Sequence, residues 1–442
     1  MQRFLIAGTH SGCGKTTVTC AILAALKKKG IQAASFKCGP DYIDPMFHTT
    51  VLETPAHNLD SFFCTPDRLR YLFDRYSKGA SVSVLEGVMG YYDGGDGSAQ
   101  AIAGITATPV VIVIDCKGMS DSIGAVMQGF LRYRQPNRIA GFLFNRLPLS
   151  LVPMVQRFCR ELGTKYFGCL PVHSETFDSR HLGLVTAEEL PGLKEKMQRL
   201  GALAEKHILL NDLLQLPCEP LPPFPQIQIK PLFEGDARPV IAVAKDAAFN
   251  FYYAENLDLL QSLGCRLTYF SPLTSRTLPD ADGLLLGGGY PELYASTLSA
   301  NNGLLAAIRR RIKEGMPVIA ECGGFLYLHR LLMDAEGSNY QMATVFSGEG
   351  RKTDKLQRFG YVTLRSPEAN LLFAKGGTLR AHEFHYWEST TPGTSLTAVK
   401  RDGREYRCCY ATSTMYAGFP HLYFWTDPDA ARRFVLKCGE KR

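Results

Sequence analysis

Seven prolines, Pro217, Pro220, Pro222, Pro223, Pro225, Pro231 and Pro239, crowd into one short stretch near the middle of the chain. Proline fixes φ and lacks a backbone N–H, so this stretch is neither regular helix nor central strand. It divides the chain into two parts, each of which needs its own core. The whole, 442 residues at 45% apolar and 21% charged, is large enough and mixed enough for two soluble globular domains. The expected boundaries are 1–190 for the first domain, 191–238 for an amphipathic helix begun by Pro191 plus the proline-rich linker, and 239–442 for the second domain.

On both sides of the linker, short apolar runs alternate with longer helical stretches. Before it, runs at 4–7, 82–85, 110–114 and 139–144 are separated by stretches such as 15–29 and 121–134. After it, runs at 240–244, 283–286 and 318–320 alternate with 253–263 and 304–314. That rhythm predicts two α/β units with parallel sheets covered by helices.

Several function classes drop out. The net charge of +7 is spread thinly, without a Lys/Arg block or a nucleic-acid motif, so a polyanionic small substrate is expected rather than DNA or RNA. No stretch approaches the roughly 20 apolar residues of a spanning helix, and Met1 leads within a few residues into a glycine-rich loop. Neither membrane nor export is expected. The thirteen cysteines are odd in number, scattered and free of any CxxC pair, which fits reduced thiols in a cytoplasm.

The first run leads into Gly8-Thr9-His10-Ser11-Gly12-Cys13-Gly14-Lys15-Thr16-Thr17 and then into helix. Glycines let backbone N–H groups wrap phosphate oxygens, the helix N-terminus adds positive potential, Lys15 reaches the β- and γ-phosphates, and Thr16 offers a hydroxyl to Mg²⁺. The predicted nucleotide-binding residues are Gly12, Gly14, Lys15, Thr16 and Thr17. Thr9 stands where the usual pattern has its first glycine, with Gly8 one residue further out. His10 takes the place of the extra lysine of partition-type ATPases, which argues against a dimer-forming switch.

A metal-binding carboxylate is expected at the end of a neighbouring strand, and Glu86 in Val82-Ser83-Val84-Leu85-Glu86-Gly87 occupies that point. Lys37, Asp41 and Asp44 lie on a proline-stiffened loop at the same carboxyl edge, where α/β ligand sites form; alone, that loop could be only a turn. Asp93 and Asp96, in the glycine-rich run 91–97, could handle metal, position substrate or serve their turn.

In the second half, Val318-Ile319-Ala320-Glu321-Cys322-Gly323-Gly324 reads as a strand, a cysteine, two glycines and a helix start. This is a nucleophile elbow with sulfur for oxygen, its thiolate favoured by the helix that follows. An isolated cysteine after a strand is otherwise a small buried hydrophobe. Two features favour the nucleophile: Gly287-Gly288-Gly289 ends a strand with N–H groups suited to an oxyanion, and His421 lies at the edge of an aromatic strand as candidate base. The glutamate often found two residues after such a histidine is replaced by Tyr423, so another group, or none, orients the imidazole.

On these residues the chain resembles, essentially end to end, the cobyrinate a,c-diamide synthases, glutamine-dependent enzymes of corrin-ring biosynthesis. The first half is similar to the dethiobiotin-synthetase type of P-loop domain through 8–17, Lys37-Cys38-Gly39-Pro40-Asp41-Tyr42-Ile43-Asp44-Pro45, Asn58-Leu59-Asp60, 86–94 and Arg180-His181-Leu182-Gly183-Leu184-Val185. The second resembles the cobyric-type class I amidotransferases through Ala247-Ala248-Phe249-Asn250-Phe251-Tyr252-Tyr253, 286–293, Glu321-Cys322-Gly323-Gly324, His382-Glu383-Phe384-His385-Tyr386 and His421. Ala381, Trp387 and Tyr423 depart from the family pattern.

The resemblance implies an α/β chain: an N-terminal P-loop, dethiobiotin-synthetase-like parallel-sheet domain and a C-terminal class I glutamine amidotransferase domain of flavodoxin-like fold. It implies that glutamine is hydrolysed at Cys322 through a thioester, with His421 moving protons and Gly288 or Gly289 stabilising the oxyanion. Ammonia then crosses to the first domain. There ATP, with Mg²⁺ on Thr16, Glu86, Asp41 and Asp44, phosphorylates a ring carboxylate positioned by Lys37, Tyr42 and Asp93, and ammonia displaces the phosphate. The expected partners are ATP, glutamine and a polycarboxylate corrinoid, with a homodimer allowed. The rival readings are the same reaction on a nickel sirohydrochlorin, a cobyric acid synthase, and a nucleotide switch with a vestigial amidotransferase domain.

Overall fold

Val82-Ser83-Val84-Leu85-Glu86 is buried at every position, as a strand must be when helices cover both faces of its sheet. In the computed structural model, which describes residues 1–173, 179–180, 183–184 and 192–440, it is one of the seven strands of the main sheet of a first unit, Met1–Ile227. The strands are β1 (Gln2–Gly8), β2 (Ala33–Cys38), β3 (His57–Leu59), β4 (Val82–Glu86), β5 (Val110–Asp115), β6 (Ile139–Asn145) and β7 (Lys165–Leu170). They pair in parallel throughout, in the order β3-β2-β4-β1-β5-β6-β7. The chain leaves β1 toward one edge and later fills the other, so β1 stands at the point where the winding reverses, the place such sheets keep for ligands.

Two helices matter for the site: α1 (Lys15–Lys28), straight after the glycine loop, and α2 (Ile43–Leu52). The amphipathic helix Leu193–His207 packs along α1, closely enough that a Cβ on Gly201 would lie 2.9 Å from that of Ala24. Residues 216–231, which hold most of the prolines, carry neither helix nor strand. In the motif at 180–185, Arg180 pairs with Gly183. His181, Leu182 and Val185 lie outside the described residues.

The second unit, Gln228–Arg442, is built on β8 (Val240–Ala244), β9 (Arg266–Phe270), β10 (Gly283–Leu286) and β11 (Val318–Glu321). Further along come β12 (Arg358–Arg365), β13 (Thr378–His385), β14 (Leu396–Lys400), β15 (Glu405–Cys408), β16 (Tyr410–Ala411), β17 (Met415–Gly418) and β18 (His421–Leu422). One sheet runs β9-β8-β10-β11-β17-β16, parallel except at its last pair. A second, antiparallel sheet runs β15-β14-β12-β13-β18. Only Phe419 and Pro420 separate β17 of the first from β18 of the second. Because β17 lies beside β11, with Glu321 opposite Gly418, the end of β11 meets the start of β18. Among the described residues no helix is long and apolar enough to cross a membrane.

Candidate active sites

The glycine loop after β1 needs its glycines for two different reasons. Gly12 and Gly14 have φ of +82° and +93°, a region costly for any residue with a Cβ. Gly8 is needed for space, since a Cβ there would overlap Cys13 Sγ, which explains a glycine one place outside the usual pattern. Gly14 also leaves room for Asn145 at the end of β6, whose Nδ2 donates to the Cys13 carbonyl at 3.0 Å. Asn145 Oδ1 is buried without a partner, an acceptor beside the loop that the sequence reading missed. Lys15 Nζ donates to the His10 carbonyl at 3.0 Å, and burial lowers its pKa.

Thr16, Lys37, Asp44 and Glu86 come together although they stem from four different elements. Thr16 Oγ1 donates to Glu86 Oε1 at 2.8 Å and to Asp44 Oδ1 at 3.2 Å. Lys37 Nζ pairs with Glu86 Oε1 at 2.8 Å and in a short contact with Asp44 Oδ2. Behind them, His48 Nε2 lies 2.7 Å from Glu86 Oε2, and Ser35 Oγ 2.7 Å from His48 Nδ1. With Nε2 against Glu86 and Nδ1 against Ser35, the ring is held at both nitrogens, so one carboxylate rotamer is fixed from behind.

The charges follow from these contacts. Burial alone would raise the pKa of Glu86, but the Lys37 ion pair and the His48 hydrogen bond hold it well below the usual carboxylate range. Burial alone would lower Lys37, which its two carboxylates hold well above the usual ammonium range. Burial, then the charge of Asp41, pushes Asp44 up against the pull of Lys37.

The remaining acidic candidates close turns. Asp41 Oδ1 accepts the N–H groups of Ile43 at 2.8 Å and Asp44 at 3.3 Å, starting α2 just after Tyr42. Asp93 Oδ2 accepts the Gly90 N–H at 3.0 Å. That turn lies against the glycine loop, since the Tyr91 N–H donates to the Gly8 carbonyl at 2.8 Å. Asp96 offers its backbone carbonyl to Ser61. Among the described residues no group of three or more His, Cys, Asp or Glu has the geometry to hold a metal by itself.

In the second unit Cys322 sits at φ +48°, ψ −104° between β11 and the short helix Gly323–Tyr327. For a non-glycine residue this is strained backbone, held by the Cys322 N–H donating to the Gly418 carbonyl at 2.8 Å. The thiol hydrogen-bonds the imidazole of His421. His421 is buried, and burial alone would lower its pKa, yet that bond and the adjacent Glu321 hold it up to about 9. Tyr423, at the position where a glutamate was sought, packs edge-on against Tyr253. Glu321 Oε2 lies instead 3.5 Å from His421 Nδ1, a group the sequence reading did not single out.

The two glycines serve this pair differently. A Cβ on Gly288 would overlap His421 Cε1, so this residue shapes the imidazole's seat. The Gly288 carbonyl accepts from the Asn250 and Phe251 N–H groups, both at 3.1 Å. In a trans peptide the following N–H, that of Gly289, points the opposite way. Gly289 itself has φ +149°, and its nitrogen would lie 3.2 Å from a Cβ on Gly323, next to the nucleophile. Gly288→Ala is therefore expected to displace the imidazole and lower glutamine hydrolysis on the order of 10²-fold with the circular dichroism spectrum unchanged. Wild-type hydrolysis in this variant would show that the imidazole's seat is unimportant.

Comparison with known proteins bears on both units. Residues 4–183 match the CobQ/CobB/MinD/ParA nucleotide binding domain, and residues 240–429 match the CobB/CobQ-like glutamine amidotransferase domain. The chain is 39% identical to the cobyrinate a,c-diamide synthase of Caldanaerobacter subterraneus, over 99% of this chain and 98% of that protein. It is 39% identical to the enzyme of the same name from Listeria monocytogenes, over 97% of each chain. With that from Salmonella typhimurium it shares 36% identity, over 98% of this chain and 97% of the other.

Proposed function

Because the chain belongs to the cobyrinate a,c-diamide synthase family, we propose that it converts the a- and c-acetate carboxylates of cobyrinate to amides, with glutamine as nitrogen donor and ATP as activator. Each amide consumes one ATP and one glutamine. The observation that carries the reading is the pairing of Cys322, on its strained elbow, with the buried imidazole of His421 in a chain that also has a nucleotide loop.

In the donor half-reaction the Cys322 sulfur attacks the glutamine side-chain carbonyl, and the Gly289 N–H meets the developing oxyanion, with Gly288 beside it. His421 gives its proton to the departing ammonia, leaving a thioester. It then takes a proton from the water that releases glutamate.

In the acceptor half-reaction Gly12, Gly14, Lys15 and Thr17 bind the phosphates of ATP. A ring carboxylate oxygen attacks the γ-phosphorus and ADP leaves; ammonia then attacks the acyl phosphate and phosphate leaves. Activation is needed because a free carboxylate is a poor electrophile. Thr16, Glu86 and Asp44 present hydroxyl and carboxylate oxygens suited to Mg²⁺, which takes few protein ligands and keeps water and phosphate for the rest. Bound there, the ion would offset phosphate charge during transfer. Lys37 keeps Glu86 ionised and holds both carboxylates in place, while Asp41, Tyr42 and Asp93 shape the loops beside the phosphates. The thirteen free cysteines suit a reducing cytoplasm.

The test is incubation of the purified protein with ATP, Mg²⁺, glutamine and either cobyrinate or nickel sirohydrochlorin, read by mass spectrometry. Diamide from cobyrinate, with one ADP and one glutamate per amide, is expected. Amidation confined to the nickel macrocycle would reassign the substrate, and ADP release without any amide would reject the ligase reading.

A further inference from the structure

Glu321 is the last residue of β11, immediately before the nucleophile, and its carboxylate is buried. One oxygen accepts the Leu422 N–H at 3.1 Å, and the other lies 3.5 Å from His421 Nδ1. Both contacts are to β18, which the β11–β17 pairing brings alongside. Among the titratable groups that also face His421 are Cys322, which hydrogen-bonds the imidazole, and His382, opposite it on β13. His382 is held neutral, down to about 3, by burial and then by the charge of His421; His385 is likewise held to about 3, chiefly by burial. Lys400, further out, is paired with Glu383. Glu321 thus sets a carboxylate oxygen against the imidazole, and a buried carboxylate needs such a partner.

We infer that Glu321 is the positioning residue of the Cys322–His421 pair: it fixes Nδ1 as the protonated nitrogen, aims Nε2 at the sulfur and stabilises the imidazolium formed when the thiol ionises. The glutamate missing at Tyr423 is supplied from the other strand, beside the nucleophile in sequence. The inference rests on the glutaminase reading above. An alternative role, merely holding Leu422, is separable because it requires an acceptor oxygen and no charge.

Glu321→Gln keeps an acceptor for the Leu422 N–H and removes the charge. The expected result is a fall in kcat for glutamine hydrolysis of roughly 10²-fold with KM changed by less than about 3-fold. The alkaline limb of the rate, expected to follow the raised pKa of His421 at about 9, moves down by about one unit or more, because His421 gives up its proton more readily. Glu321→Asp, charged but shorter, recovers part of both effects. Wild-type kcat in the Gln variant, or a lower kcat with an unmoved alkaline limb, overturns the inference. Should the Gln variant not fold, ¹⁵N-histidine NMR of the parent protein decides, with the His421 signal assigned by His421→Ala: an Nδ1 without a proton in the resting enzyme excludes the role. If the parent protein hydrolyses no glutamine, the glutaminase reading fails instead.

Discussion

Cys322→Ala will abolish glutamine-dependent amide formation, by on the order of 10⁴-fold or more, and will leave amide formation from concentrated free ammonia near the parent rate. The sulfur forms the bond that detaches nitrogen from glutamine, and no neighbour replaces it, since His421 is a base and Glu321 is committed to the imidazole. Alanine keeps the Cβ and so leaves the cost of the positive φ at Cys322 unchanged while adding no bulk, so the variant is expected to stay folded. ATP activation of the ring carboxylate does not involve this sulfur. The measurement is product amide by mass spectrometry with glutamine or with ammonium salt as donor. Loss of both activities in a folded variant would mean that nitrogen release and carboxylate activation are not separate reactions.

Lys37→Met will destabilise the first unit by about 3–5 kcal/mol at neutral pH and eliminate amidation from either donor. Lys37, Asp44 and Glu86 are all buried, at 2%, 5% and 0% exposure, so removing the ammonium leaves two carboxylates facing each other out of water. The pH dependence has a definite sign. The depressed Glu86 contributes stability that is present above the unfolded carboxylate range and is lost as pH falls through its folded value. The raised Lys37 contributes stability present below its unfolded value and lost at higher pH. Both contributions are complete near pH 7, where the variant loses most. Calorimetry should show one transition moved to lower temperature, and glutamine hydrolysis should persist. An unchanged transition would mean that the carboxylates find another cation or are protonated.

Much of this was legible in the sequence because the determining residues are neighbours there. The glycine loop and the cysteine elbow are each a strand end, a turn and a helix start within about ten residues, and their chemistry follows from that order. Glu86 was legible because it closes a continuous buried strand. What was hidden depends on which strands become neighbours. Asn145 reaches Cys13 across 132 residues. His48 shares a helix face with Asp44, an i, i+4 spacing visible in the sequence, yet its contact with Glu86 depends on β2 lying beside β4. Glu321 was in plain view, but which way its side chain turns is set by the β11–β17 pairing. Asp41 and Asp93 were read toward metal and phosphate, with turn formation as the alternative; their oxygens bind backbone N–H groups, a role open to any aspartate in such a turn.

The seam between β17 and β18 also bears on how the chain folds. Glu321 and Leu422 meet across 101 residues, so the contact closes a long loop whose entropy must be met before any reward is gained. Such closures belong to late stages of folding. A partly folded second unit would carry the sulfur on an incomplete sheet, without its imidazole, and would destroy no glutamine. Hydrolysis regained on refolding should therefore track the slowest structural phase of this unit, which makes the activity itself a reporter of complete assembly.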